Sequence, residues 1–128
     1  MRKTAGAVLL LVALTACAPT GAASQVAATA AGFASALDRQ DGTAACALLT
    51  EAARGALEND SGEPCDKAVL DVSSDASGLR VQVWGDEAAA RAGHDTLFLD
   101  QTPNGWRVRA AGCTPQGQDM GYQCEVAP

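Results

Sequence analysis

The chain carries one histidine, His94, with Asp95 directly after it. Such a pair could supply a general base if the carboxylate oriented the ring and a nucleophile lay on its far side. Adjacent residues of a strand point to opposite faces, however, and no Gly-x-Ser-x-Gly elbow presents a serine. His94 follows Gly93 between two strand-like stretches, so its expected place is a solvated turn. Paired carboxylates occur at Asp86-Glu87 and within Glu58 to Glu63. Glycoside chemistry needs two acids across one cleft, one of them kept protonated by its surroundings, and both groups here fall in turn-forming sequence. The Asp-x-Asp-x-Asp-Gly calcium pattern is missing. The cysteines form no Cys-x-x-Cys pair near the histidine, so neither a metal site nor a cofactor is expected. No residue is assigned to catalysis.

Arginine is the more informative residue type. Arg80, Arg91, Arg107 and Arg109 fall on alternating segments that could place several guanidiniums on one outward sheet face. Together they could read carboxylates or phosphate by bidentate pairing; the plainer alternative is a solvated face whose charges discourage edge pairing. Trp84 and Trp106 are candidates for the same surface, although large aromatics in a small domain more often supply burial. With 9 Lys+Arg against 15 Asp+Glu, the chain lacks the basic surface that nucleic acids require. At 128 residues it has room for one domain.

The N-terminus carries a further chemical group. Arg2 and Lys3 precede the apolar run Ala5 to Leu14, too short for an ordinary membrane-spanning helix and suited to an export signal. Its end, Leu14-Thr15-Ala16-Cys17, resembles the lipobox of bacterial lipoproteins, which implies acylation of the Cys17 thiol and cleavage just before it. Residues 1–16 are then the signal peptide and 17–24 a lipidated cysteine with a flexible tether. Two acyl chains hold a protein stably at a membrane. Removal of Arg2 and Lys3 takes the formal charge from -6 to -8, so the domain should stand off anionic lipid.

Setting Cys17 aside leaves Cys46, Cys65, Cys113 and Cys124, an even set in an exported chain. Three connectivities are open; proximity favours Cys46 with Cys65 and Cys113 with Cys124.

The elements that must position these groups divide the mature chain in two. Val26, Ala30, Phe33 and Leu37 form one helical stripe from about Ser24, ended by Asp41-Gly42. Thr43 is the expected cap of a short helix with Cys46 and Leu49, Thr50 that of a third around Glu51 to Leu57, and Pro64 opens a fourth holding Cys65, Ala68 and Val69. The period then changes to 2. Leu79, Val81 and Val83 alternate with Arg80 and Gln82; Ala88 to Ala92 and Thr96 to Gln101 follow; the Asn104-Gly105 hairpin signal leads into Trp106, Val108 and Ala110. A loop returns at Tyr122, Cys124 and Val126 as a short strand or arm. The expected fold is a single α+β domain over 25–128, with N-terminal helices packed on an antiparallel meander.

That order resembles the NTF2-like or cystatin-like cone, on the stretches Phe33-Ala34-Ser35-Ala36-Leu37, Ala45-Cys46-Ala47-Leu48-Leu49, Gly85-Asp86-Glu87-Ala88, Asp95-Thr96-Leu97-Phe98-Leu99 and Gly105-Trp106-Arg107-Val108. The ending, Ala111-Gly112-Cys113 followed by Tyr122-Gln123-Cys124, is similar to that of small lipoproteins of high-GC Gram-positive bacteria. The resemblance implies a curled sheet with a pocket between the first helix and the strands. It brings no catalytic residue, because the strands hold neither the His nor the Tyr that active relatives place there. The expectation is a lipid-anchored protein at the outer face of the cell membrane, a non-enzymatic module binding a small molecule or an envelope protein. The alternative is a small NTF2-like enzyme acting on a small molecule in the cone.

Overall fold

The computed structural model describes residues 21–128. Four helices come first: α1 (Ala22–Asp38), α2 (Gly42–Ala47), α3 (Glu51–Ser61) and α4 (Cys65–Ala68), the last running into a 3-10 turn at Val69–Asp71. Five strands follow: β1 (Arg80–Trp84), β2 (Glu87–Ala92), β3 (Asp95–Thr102), β4 (Gly105–Pro115) and β5 (Tyr122–Gln123). They form one antiparallel sheet in chain order. The protein is thus an α+β domain of helices packed on an open five-stranded sheet. Cys17 and residues 1–16 lie outside the described residues.

The stripe Val26, Ala30, Phe33 and Leu37 is buried, as its spacing dictates. α1 begins earlier than Ser24: Gly21 is its N-cap, so Ala22 to Ser24, given to the tether from sequence, are helical. Alanine's helix propensity lets the first turn form here without a side-chain cap. Asp41, not Thr43, caps α2, its side chain accepting from the Ala44 N–H at 3.0 Å. Aspartate is the stronger cap of the two and stands one residue before the first helical position. Thr50 caps α3 through the Ala53 N–H at 3.1 Å, and Gly62 ends α3 in the left-handed region at φ 69°.

The sheet turns one face to the helices. Val83 pairs with Ala88 and Val81 with Ala90, then Ala88 with Leu99 and Ala90 with Leu97. These side chains join Phe33, Trp106 and Val108 in one core. Phe33, Leu97, Leu99, Trp106 and Val108 are each at most 2% exposed. The space between α1 and the sheet, where the resemblance implies a pocket, is therefore filled with side chains.

Beside β3, the β4 backbone is held by the α2–α3 junction, where Thr50 N–H donates to Val108 O (2.9 Å) and Val108 N–H to Leu48 O (2.8 Å). Disulfides join Cys46 to Cys65 and Cys113 to Cys124. The first ties α2 to α4, which pack tightly: a Cβ on Gly42 would stand 1.7 Å from the Asp66 carbonyl oxygen. The second ties the β5 arm to β4.

Candidate functional site

The β1–β2 register sets Arg80 directly opposite Arg91, and the β2–β3 register sets Thr96 next in that row. Parity explains the face: Val81 and Ala90, one residue along, point into the core, so the arginines point away from it. The left-handed Gly93 (φ 58°) turns the chain between β2 and β3 and leaves His94 exposed beside them. The Cys113–Cys124 bridge and the β4–β5 pairing bring Tyr122 over from the other side of the sheet. Arg80, Arg91, His94, Thr96, Thr114 and Tyr122 line a groove of about 320 Å³.

Charge is distributed unevenly over this face. Arg109 is neutralised, with Nε 2.9 Å from Asp100 Oδ1 and Nη2 3.9 Å from Glu87 Oε1. Its guanidinium also lies over the Phe98 ring, 5.7 Å from the centroid. Phe98 in turn meets Tyr122 edge-on at 5.0 Å between centroids, which buttresses the groove wall. Arg91 Nη1 donates to Gln82 Oε1 at 3.3 Å. Among the described residues neither Arg80 nor Arg91 has an ion-pair partner.

A second hollow of about 350 Å³ lies at the same end of the sheet and shares His94 and Thr114 with the first, but Ala92 and Asp95, which line it, have the core-facing parity. Its walls are acidic. Asp95 Oδ2 accepts from the Asp75 N–H at 3.0 Å, and Glu125 Oε2 accepts from the Ser73 N–H at 2.6 Å. These two carboxylates pin the loop that precedes β1. Burial pushes the half-buried Asp95 carboxyl above its ordinary value, against the pull of the Asp75 and Thr96 amides. Asp75 is exposed, and the Ser77 hydroxyl and amide on its Oδ1 hold it below the usual range, so it is ionised at neutral pH.

His94 and Asp95 do not form a catalytic pair: the carboxylate is turned to the Asp75 amide, and the His94 ring makes no hydrogen bond among the described residues. Of the six residues considered for binding from sequence, only Arg80 and Arg91 meet. Arg109 is held by carboxylates on its own sheet face. Arg107 lies at the opposite end of the sheet, its Nη1 donating to Trp106 O at 2.9 Å, beside Arg54 and the hairpin Thr102 to Asn104. Trp106 is core, with its indole N–H buried and unpartnered. Trp84 is 43% exposed, because it shares the parity of Arg80 and Gln82 on β1.

Sequence reasoning missed Thr96, Thr114, Tyr122 and Asp75 as groove residues. Tyr122 was within reach: a Cys113–Cys124 bridge places a residue two before Cys124 alongside β4. Asp75 had no such signal, since it sits in a loop fixed only by long-range hydrogen bonds. Among the described residues no group of three or more His, Cys, Asp or Glu could hold a metal ion. No helix among them is long and apolar enough to cross a membrane. Comparison of the chain with protein families, with curated proteins and with solved structures finds no match.

Proposed function

We propose that the chain is a membrane-anchored extracytoplasmic lipoprotein, lipidated at Cys17 and held at the outer face of the cell membrane. Its domain, arranged like the NTF2-like or cystatin-like proteins, is a non-enzymatic binding module of the cell envelope. The ligand presents an oxyanion to Arg80 and Arg91. The observation that supports this is the pair itself. Like charges set directly opposite across two strands cost stability, and the carboxylates on this face, Glu87 and Asp100, are committed to Arg109. A guanidinium pair left without counter-charge matches a ligand that brings its own. The groove, about 320 Å³, is at the small end of small-molecule sites, which favours a compact ligand over a protein surface.

Calorimetric titration of the purified chain with N-acetylglycine, a minimal carboxylate, tests the site. Binding to the wild type that the double variant R80Q/R91Q loses and R54Q/R107Q keeps is the expected result; binding lost in R54Q/R107Q instead overturns it. Intact mass of the membrane-derived chain tests the anchor: a diacylglyceryl mass on an N-terminal Cys17 is expected, and an unmodified Cys17 overturns that part.

A further inference from the structure

Resting on the oxyanion reading of the Arg80–Arg91 groove, we infer that the ligand is an aryl carboxylate, a compact molecule carrying its carboxylate on or beside an aromatic ring. The carboxylate pairs with Arg80 and Arg91, and the ring lies against Tyr122. Both contacts belong to one face of the sheet. Arg80 and Arg91 share the parity of Gln82 on β1 and Ala89 on β2, and Ala89 pairs with Phe98 on β3. Tyr122 meets Phe98 edge-on at 5.0 Å between centroids, so its ring stands on that same outward face. Both contacts also belong to one cavity, which Arg80, Arg91 and Tyr122 line together, with the buried Thr96 of the central strand β3 between them.

The two walls of the groove differ in chemistry. β1 and β2 supply guanidiniums, whereas β4 and β5 supply the paired Pro115 and Tyr122, the latter 40% exposed. An inorganic oxyanion held by the arginines would leave that ring facing water. An aromatic group on the ligand covers it and adds a ring–ring contact to the area buried. This face already stacks in the same manner: the Arg109 guanidinium lies over Phe98 and Phe98 meets Tyr122, so a ligand ring extends the series by one. The Tyr122 wall is set in place before a ligand arrives. The Cys113–Cys124 bridge and the Gln116 N–H donating to Gly121 O at 3.0 Å close the loop before it, and Arg109, stacked on Phe98, is pinned by Asp100. The groove, about 320 Å³, has room for one ring with its carboxylate.

The test titrates the full chain with benzoate, acetate, cyclohexanecarboxylate, benzamide and inorganic phosphate, followed by calorimetry or amide chemical shifts. Benzoate is expected to bind at least about tenfold more tightly than acetate, phosphate or benzamide, and at least about threefold more tightly than cyclohexanecarboxylate, the increment of an aromatic pair beyond its buried area. Y122A should bring benzoate to the level of acetate and leave acetate unchanged. Y122F, which keeps the ring, should retain the preference; its loss there would overturn the assignment to the Tyr122 ring. Acetate, phosphate or cyclohexanecarboxylate binding as tightly as benzoate overturns the aryl ligand and leaves the oxyanion groove standing. Benzamide matching benzoate, or failure of every anion to bind, overturns the groove as well.

Discussion

Replacing Arg80 by Gln should stabilise the domain while removing its ligand. Arg80 is exposed, faces Arg91 across the β1–β2 ladder and has no ion-pair partner among the described residues. Two unit charges about 6 Å apart repel by about 0.7 kcal/mol in a water-like dielectric before screening. Screening reduces this to about 0.6 kcal/mol at 10 mM salt, about 0.3 at 0.15 M and about 0.1 at 1 M. The values at low and physiological salt sit within the range of about 0.2–1 kcal/mol for directly opposed cross-strand pairs. Urea unfolding, which leaves ionic strength free, measures the effect as a midpoint shift of a few tenths molar at low salt with an unchanged slope. A gain that fades with salt, together with lost N-acetylglycine binding, is the expected outcome. A less stable R80Q, or a gain indifferent to salt, would refute the claim that the pair is uncompensated.

Three further outcomes are expected. G42A forces a methyl against the Asp66 carbonyl across helices that a disulfide holds together; calorimetry should show a loss of about 2–3 kcal/mol, the upper part of the overpacking range. C113S/C124S opens an 11-residue separation and should cost about 2–3 kcal/mol. It should also weaken ligand binding because Tyr122 is released, whereas C46S/C65S should cost stability and spare binding. D95N addresses pH. The folded-state pKa of Asp95 is raised, so the native chain holds this proton more tightly than the unfolded one, and the group's contribution falls as pH rises from its unfolded value through the folded pKa. The stability of D95N relative to wild type should accordingly be greatest at neutral pH and shrink as pH falls toward 4, as followed by urea midpoints; a difference that grows on acidification contradicts the burial effect.

The elements were legible where period and punctuation agreed. Val26, Ala30, Phe33 and Leu37 announced α1, and Leu79, Val81 and Val83 set the parity of β1, which places both Arg80 and Trp84 outside. Ala88 to Ala92 carries no such message: alanine fits either face, and only pairing with β1 and β3 decides that Ala88 and Ala90 point in and Arg91 out. The register shifts between β3 and β4 near Phe98 were equally silent, because a bulge follows from twist and packing rather than composition. The site was half visible for the same reason. Arginine spacing named the cations, but which of them keeps a free charge depends on where Glu87 and Asp100 sit across the sheet.

The most direct test is a residue-resolved map of amide shifts as N-acetylglycine is added to the isotope-labelled chain. Saturable shifts centred on Arg80, Arg91, Gly93, Thr114 and Tyr122, absent in R80Q/R91Q, are predicted. Shifts centred on Arg54 and Arg107, or none that saturate, would contradict a binding module built on the outer face of this sheet.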